Sequence, residues 1–256
     1  MEFIDTHSHL YDEAFSSEED LAVERAVDAG VKKMILPDID TTSREAMFNL
    51  AERHQNVLYP TLGLHPTSIA GNWKEEMDAV EKELGKHKIW AIGEIGIDCY
   101  WSKEFLEQQK EVFRIQLELA SKMGLPVIIH SRESTELIIN TLKDCKHLSL
   151  SGVFHAYSGS AETYRELQKL GDWYIGIGGV LTYKKASIAE TVKDIPIERI
   201  LLETDSPYLT PVPHRGKRNE SSYIPHIAEK LAVQKGIDIE SIACATTENA
   251  KRLFRL

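Results

Sequence analysis

The sequence has few cysteines and no long apolar run. Its three cysteines (Cys99, Cys145 and Cys244) are scattered, no CxxC pair occurs, and an odd number does not suit a disulfide framework. The first residues contain neither a basic cluster nor an extended apolar stretch, so we expect no signal peptide and no membrane span. These absences favour a reducing compartment, and the cytoplasm is the expected location.

An excess of positive charge is also missing. The chain has 30 Lys and Arg residues against 40 Asp and Glu residues, which gives a net charge of −10. Proteins that coat duplex DNA by releasing counterions usually carry the opposite sign. Any contact with nucleic acid must therefore be local, through a small basic patch or through metal ions. Solubility alone is the other explanation of the acidity.

The length and composition suit one ordinary α/β domain. The chain has 256 residues, of which 42% are hydrophobic and 27% are charged. A chain of this size buries about 70–75% of its unfolded surface and needs no disulfide or structural metal to fold. Because no linker, repeat or low-complexity tract occurs, we expect one domain over residues 1–256.

Apolar runs alternate with segments of helical periodicity along the chain. The predicted strands cover residues 3–9, 31–37, 57–64, 89–95, 126–129, 148–154, 173–177 and 199–203. The predicted helices cover residues 18–29, 43–53, 74–86, 104–122, 135–144, 161–170, 186–193, 224–235 and 241–254, with Ser43 as an N-cap. This order predicts an α/β fold, a (β/α)8 TIM barrel. An open doubly wound sheet is the alternative, but it normally has a glycine-rich loop after its first strand, where this chain has His7-Ser8-His9.

Metal-capable side chains recur at the ends of the predicted strands. The first predicted strand ends in His7 and His9, and alternate residues of an extended chain point the same way. Two nearby histidines are weak evidence alone, but others also stand at predicted strand ends: His65, Glu94, His130, His155 and Asp205. The carboxyl ends of parallel barrel strands converge on one face, so we expect these side chains to meet in one pocket.

Six of these residues are the candidate metal ligands: His7, His9, Glu94, His130, His155 and Asp205. One catalytic ion rarely takes six protein ligands, because it keeps an open position, so two divalent ions sharing a carboxylate are expected. The donors suit Zn, Mn, Co or Fe and tolerate Mg. His65 is expected to contact substrate or support a ligand, and a direct ligand role or a place in the turn before Pro66 are its alternatives. Asp5 is either a hydrogen-bonded core acid or a partner of a ligand, and Asp38 is expected at a cap or turn.

Candidate substrate contacts are basic and aromatic. Arg132, Arg215 and Arg218 are candidates for phosphate binding, because the planar guanidinium matches phosphate geometry, although the loop around residues 214–218 also reads as a solvated segment. Tyr157, Tyr208 and Trp101 either stack on bases or pack against the protein.

Seven motifs run in order through the chain: FIDTHSHL at 3–10, GLHP at 63–66, GEIGID at 93–98, PVIIHSR at 126–132, FHAYSG at 154–159, ETDSPYL at 203–209 and TENAKRLF at 247–254. With them the chain resembles the TatD family of metal-dependent deoxyribonucleases, part of the amidohydrolase superfamily. It departs from the family pattern at Cys99, Trp101 and Ser221, none of which is a candidate ligand.

The resemblance implies a TIM barrel with a two-metal site. One ion would be held by His7, His9, Glu94 and Asp205, and the other by Glu94, His130 and His155, with Glu94 bridging. It implies hydrolysis of phosphodiester bonds, typically in single-stranded DNA and from a chain end, or of a small phosphodiester. We expect Asp205 to take the proton of the attacking water.

Two other functional classes remain open. The same site would serve a hydrolase of carbonyl bonds, such as an amidohydrolase or a D-aminoacyl-tRNA deacylase. A metal-binding barrel whose role is interaction is disfavoured by the complete ligand set with a candidate base. No long exposed apolar helix is predicted, so a monomer is expected.

Overall fold

The structure is a computed structural model that describes residues 1–256. Eight strands are present: β1 (Phe3–Asp5), β2 (Val31–Leu36), β3 (Leu58–Pro60), β4 (Ile92–Asp98), β5 (Val127–Arg132), β6 (Ser151–Phe154), β7 (Asp172–Ile177) and β8 (Ile200–Leu202). The α-helices are α1 (Glu19–Asp28), α2 (Thr41–Arg53), α3 (Trp73–Glu83), α4 (Leu106–Met123), α5 (Thr135–Asp144), α6 (Ala161–Leu167), α7 (Ile188–Thr191), α8 (Ile224–Lys235) and α9 (Ile239–Phe254). None of these helices is long and apolar enough to cross a membrane.

The strands pair in parallel and in chain order. Continuous pairing joins β1 to β3 and β4 to β8. Between β3 and β4, the Leu62 N–H donates to the Ala91 carbonyl at 3.2 Å, and the Gly93 N–H donates to the Leu62 carbonyl at 3.0 Å. Between β8 and β1, the Thr6 N–H donates to the Leu202 carbonyl at 3.0 Å. Hydrogen bonds therefore join the two sheets at both edges, and the predicted (β/α)8 barrel is confirmed.

The lower interior of the barrel holds a separate apolar cluster, here called the barrel-bottom cluster. Each strand, or the residue just before it, contributes one side chain: Ile4, Ile35, Tyr59, Ala91, Ile128, Val153, Tyr174 and Leu201. Helix α9 adds Ala250, Leu253 and Phe254. A larger cluster of 55 residues packs the strands against the surrounding helices. The apolar residues below leave the carboxyl ends of the strands free to carry polar side chains.

Several element boundaries differ from those predicted. Helix α2 begins at Thr41, because the Asp40 side chain accepts a hydrogen bond from the Thr42 N–H, so Ser43 is not the N-cap. Strand β4 continues to Asp98 through its pairing with β5, which places Glu94 inside the strand rather than at its end. The predicted bounds of α5 and α8 are confirmed.

Candidate active site

Glu94 lies at the centre of the polar cluster, and one of its carboxylate oxygens faces the histidines that follow β1. Its Oε2 atom is 3.1 Å from His7 Nε2 and 3.8 Å from His9 Nε2. The two imidazole Nε2 atoms are 3.1 Å apart. Asp205 completes this side, with Oδ1 3.7 Å from the Nε2 atom of each histidine.

The other Glu94 oxygen faces a second set of imidazoles. Oε1 is 2.9 Å from His130 Nδ1, 3.4 Å from His65 Nε2 and 3.7 Å from His155 Nε2. The rings of His65 and His130 also meet edge to face, with centroids 4.6 Å apart. The seven polar residues predicted at strand ends therefore lie together, and the carboxylate of Glu94 stands between two groups of nitrogens.

The donor atoms fit a divalent metal. Ligand atoms of His7, His9 and Glu94 all lie within 4.8 Å of one another, and so do those of His65, Glu94 and His130. Imidazole nitrogens and carboxylate oxygens are the ligands that zinc and related ions take in proteins. A cation among these buried atoms would satisfy lone pairs that otherwise face each other.

The ring of His9 is held from behind by Tyr11. His9 Nδ1 lies 2.9 Å from the Tyr11 hydroxyl, which itself donates to the Pro37 carbonyl. Because that hydroxyl proton is used, His9 Nδ1 donates to the oxygen, and the lone pair of Nε2 remains free to face Glu94.

Two carboxylates lie behind the histidine in β5 and the histidine that follows β6, the first in a hydrogen bond and the second in an ion-pair contact. Asp98 Oδ2 is 2.9 Å from His130 Nε2, and Glu203 Oε1 is 3.2 Å from His155 Nδ1. The Glu203 carboxylate also accepts the Ala156 N–H at 2.5 Å. A side chain at Gly176 would collide with this carboxylate, so the glycine provides the room that Glu203 occupies.

Asp5 ties together the two segments that carry ligands on either side of the β1–β8 junction. Its carboxylate accepts the His7 N–H at 3.2 Å, the Thr204 N–H at 3.0 Å and the Thr204 hydroxyl at 2.6 Å. Burial raises the pKa of Asp5 to about 7. The structure thus places Asp5 beneath the site as a hydrogen-bonded core acid.

Burial and mutual charge set the protonation of the cluster. Burial raises the pKa of Asp205 to about 7 and lowers that of His9 to about 4. Burial also acts to raise the pKa of Glu94, but the imidazoles around it, that of His7 above all, hold it well below its usual range. For His155, burial acts to lower the pKa, but the charges of Glu203, Glu94 and Asp205 outweigh it and raise it to about 10.

Comparison with known proteins settles the family. A family model described as "TatD related DNase" matches residues 4–255. The chain belongs to the TatD family. The "Uncharacterized metal-dependent hydrolase YabD" of Bacillus subtilis (strain 168) is 41% identical over 254 residues, which cover 98% of each chain. The "3'-5' ssDNA/RNA exonuclease TatD" of Erwinia amylovora is 33% identical over 249 residues, 94% of this chain and 95% of the relative.

Solved structures agree with this assignment. The crystal structure of YjjV, a TatD homolog from Escherichia coli K12, superposes with a TM-score of 0.88 at 32% identity, and the match covers 99% of this chain and 98% of the other. This TatD-family protein is a metal-dependent hydrolase with the amidohydrolase type of barrel.

One candidate arginine of the TatD-family chain lies beside the site on exposed aromatic rings. The guanidinium carbon of Arg132 is 3.8 Å from the ring centroid of Tyr100 and 5.4 Å from that of Trp101. The backbone N–H groups of Tyr100 and Trp101 both donate to Asp98 Oδ1. Asp98 also contacts His130. Tyr100 and Trp101, here called the aromatic step, are therefore linked through this carboxylate to a candidate ligand.

The other two arginines are already engaged. The Arg215 guanidinium lies over the Tyr183 ring, 3.9 Å from its centroid. Arg218 donates to Glu18 at 2.6 Å and to the Ala14 carbonyl at 2.6 Å. The Arg218 guanidinium is therefore paired with a carboxylate, which weakens the expectation that it binds phosphate.

Sequence reasoning missed Asp98, Glu203 and Tyr11 as partners of the ligands. The sequence spacing of the two carboxylates could have indicated their role. Asp98 lies four residues after Glu94 in β4, and Glu203 lies two residues before Asp205. Even spacing in an extended chain places such pairs on one side. A carboxylate in an apolar run also requires a buried partner.

Proposed function

We propose that the protein hydrolyses phosphodiester bonds of single-stranded DNA from a chain end, with two divalent metal ions held on either side of Glu94. The observation that carries this proposal is the division of the Glu94 carboxylate, with Oε2 facing His7 and Oε1 facing His130. A relative of similar length is named as an ssDNA/RNA exonuclease, so RNA belongs in the test as well.

Two overlapping sets of residues would hold the ions. The first ion would take His7, His9, Glu94 and Asp205, and the second would take Glu94, His130 and His155. When bound, two such ions stabilise the charge on the attacking and leaving oxygens of an in-line displacement. The mixed imidazole and carboxylate donors suit zinc, manganese, cobalt or iron, and tolerate magnesium.

In this proposal Asp205 takes the proton of the attacking water. Its side chain is 16% exposed, whereas that of Glu94 is 3% exposed, so water reaches Asp205 more easily. A general base works best when its pKa is close to the working pH. His65 is also partly exposed, with its Nε2 atom 3.4 Å from Glu94 Oε1, and it would contact a phosphoryl oxygen of the substrate.

The aromatic step supports a single-stranded substrate. Tyr100 is 50% exposed and Trp101 is 69% exposed, and Arg132 adds a positive charge beside them. Bases of an unpaired strand stack on such rings without sequence preference, and the guanidinium suits the phosphates. The net charge of −10, in contrast, does not support binding along a duplex.

A second candidate function is hydrolysis of a carbonyl bond, as in an amidohydrolase or a D-aminoacyl-tRNA deacylase. The engagement of Arg218 by Glu18 favours the amidohydrolase form of this candidate, acting on a substrate without phosphate, because it removes one expected phosphate contact. The same ligands and the same base would serve, since an activated water attacks carbon as well as phosphorus.

The test is a substrate panel with the purified full chain. Single-stranded DNA, RNA, a small phosphodiester, an N-acyl amino acid and D-aminoacyl-tRNA are each incubated with a divalent metal or with a chelator. We expect metal-dependent shortening of linear single-stranded DNA and hydrolysis of the small phosphodiester. Cleavage of the acyl substrates without cleavage of DNA would overturn the proposal in favour of the second candidate.

Variants and metal analysis test the assignment of ligands. Glu94→Ala and Asp205→Ala should each lose metal-dependent turnover while circular dichroism shows an unchanged fold. Two equivalents of metal per wild-type chain are expected by elemental analysis, and a monomer by light scattering. Full activity in either variant would contradict the two-ion assignment.

A further inference from the structure

A cavity of about 260 Å³ lies beside Asp205, and the chemistry described above does not use it. Asp205 and Glu203 line one part of it, while Val180, Leu181 and Lys185, from the connection between β7 and α7, line another. Eight of its fourteen lining residues are hydrophobic. The cavity therefore offers an apolar space in direct contact with the proposed general base.

Hydrogen bonds fix the wall of the cavity formed by the β7–α7 connection. The Thr182 hydroxyl donates to the Gly179 carbonyl at 2.7 Å and accepts the Val212 N–H at 2.9 Å. A side chain at Gly179 would overlap the Leu209 carbonyl, so a glycine is needed for the two segments to lie this close. Contacts within the chain therefore hold this wall in place without a ligand.

The size and lining of the cavity favour a flat ring with an attached anion. Pockets for drug-sized ligands measure about 300–1,000 Å³, so this one suits a single ring system. Tyr157 provides an aromatic wall, and Val180 and Leu181 provide aliphatic walls. Lys185 is the one basic residue in the lining, and it is exposed and makes no ion pair.

We propose that this cavity binds the terminal nucleobase of the substrate strand, with Lys185 contacting a phosphate of that nucleotide. The inference rests on the proposed function and adds to it the place where the end of the strand is recognised. With one base in the cavity, the adjoining phosphodiester lies next to Asp205. Because the cavity accepts one ring, a free chain end is favoured over an internal segment.

Two variants test the cavity, and a neighbouring lysine provides a matched control. Val180→Trp fills the space from a half-buried position on its wall, and Lys185→Ala removes the charge. Lys184→Ala removes the charge of the neighbouring exposed lysine, which does not line the cavity. The measured quantity is kcat/KM for a linear thymidine oligonucleotide divided by kcat/KM for a small phosphodiester.

We expect this ratio to fall about tenfold or more in Val180→Trp and Lys185→Ala, because one base and one phosphate contact are lost. In Lys184→Ala the ratio should equal that of the wild type. If the wild type cleaves the oligonucleotide and the two cavity variants keep its ratio, the cavity proposal is wrong. If the wild type cleaves no nucleic acid, it is the proposed function that fails.

Binding gives a second readout that does not depend on turnover. Deoxynucleoside monophosphates with the phosphate on the 5′ or the 3′ oxygen are titrated calorimetrically into each protein. Both cavity variants should bind at least one of these nucleotides about tenfold more weakly than the wild type and Lys184→Ala do. Equal affinity in all four proteins would overturn the proposal, even if Val180→Trp folds poorly, because Lys185→Ala tests it independently.

Discussion

His130 places its Nε2 atom 2.9 Å from Oδ2 of Asp98, while its Nδ1 atom lies 2.9 Å from Oε1 of Glu94. Burial acts to lower the pKa of His130, but its hydrogen bonds to Asp98 and Glu94 outweigh it and raise the pKa to about 8. An ionised carboxylate only accepts hydrogen bonds, so Asp98 would keep the proton on Nε2 when a cation replaces the proton on Nδ1. This carboxylate therefore selects which nitrogen of His130 is offered to a metal. Partners of this kind orient metal-binding histidines and raise their basicity.

Asp98→Asn is expected to weaken metal binding. The amide of asparagine can donate to Nε2, which moves the proton to Nδ1 and directs it at the metal site. We expect the affinity for the second ion to fall about 10- to 100-fold, the usual effect of removing such a partner. Titration of the metal-free protein against a chromophoric chelator measures the change.

The asparagine substitution keeps the contacts of Asp98 with the backbone, so its effect on the fold can be separated from its effect on metal binding. Its side-chain oxygen can still accept the N–H groups of Tyr100 and Trp101, as Asp98 Oδ1 does. Far-ultraviolet circular dichroism and the unfolding midpoint should therefore stay close to those of the wild type. Unchanged metal affinity in a folded variant would show that Asp98 does not control His130.

The residues of the candidate site could be predicted from the sequence, but the carboxylates that contact the candidate histidines could not. Parallel strands in a barrel bring their carboxyl ends together, so His7, Glu94 and Asp205 could be placed in one pocket although they are far apart in the chain. The roles of Asp98 and Glu203 depend on which ring nitrogen each contacts, a difference of a few ångströms. Strand periodicity indicates the face of a side chain and does not define such distances.

The fold class was predictable for a related reason, while several details were not. Alternation of strand and helix indicates a parallel α/β fold whatever the exact boundaries are, and the absence of a glycine-rich loop after the first strand favours the barrel over an open sheet. The periodicity of α9 shows that it has an apolar face, but it does not show that Leu253 and Phe254 cover the barrel bottom. The sequence placed the N-cap of α2 at Ser43, whereas the hydrogen bond that Asp40 accepts from the Thr42 N–H identifies Asp40 as the cap.

Tyr11→Phe tests the support of His9. Removing the hydroxyl leaves the His9 Nδ1–H and the Pro37 carbonyl without a buried partner. Unsatisfied groups of this kind cost about 1–3 kcal/mol, so the free energy of unfolding should fall by that amount. The affinity for the first ion should fall as well, since the proton of His9 is no longer held on Nδ1. Urea unfolding and metal titration measure the two effects.

Tyr208→Phe is the matched control for this change. Its hydroxyl is exposed and makes a long contact of 3.4 Å with Asp12, so its loss should change the stability by no more than about 0.5 kcal/mol. If Tyr11→Phe is as stable as Tyr208→Phe and binds metal equally well, the hydroxyl of Tyr11 does not support the site.

Arg44→Met is expected to destabilise the fold strongly. Arg44 Nε lies 2.8 Å from Asp38 Oδ2, both side chains are buried, and Arg44 also donates to the Gly63 carbonyl. Removing one member of a buried ion pair leaves an uncompensated charge, which costs about 3–5 kcal/mol. Urea denaturation measures this loss.

Arg53→Met on the same helix is the control for Arg44→Met. Arg53 contacts Asp20 at 3.1 Å in an exposed pair, so its removal should cost less than about 1 kcal/mol. Equal losses of unfolding free energy in Arg44→Met and Arg53→Met would show that burial does not make the first ion pair costlier to break. Because Gly63 precedes His65 by two residues, a shift in substrate affinity of Arg44→Met would be a further consequence of the lost contact.

Phe254→Ala tests whether α9 supports the barrel from below. Phe254 is buried in the barrel-bottom cluster, where it packs with residues from seven strands and with Ala91 just before β4. Truncating a buried phenylalanine removes its packing and leaves a cavity, and typically costs about 3–5 kcal/mol. We expect a loss of this size in urea unfolding, against a negligible change for Val233→Ala at an exposed position of α8. Since the ligands lie on the opposite side of this cluster, the folded variant should bind metal with unchanged stoichiometry. A small loss of stability would mean that the barrel does not depend on packing from Phe254 of α9.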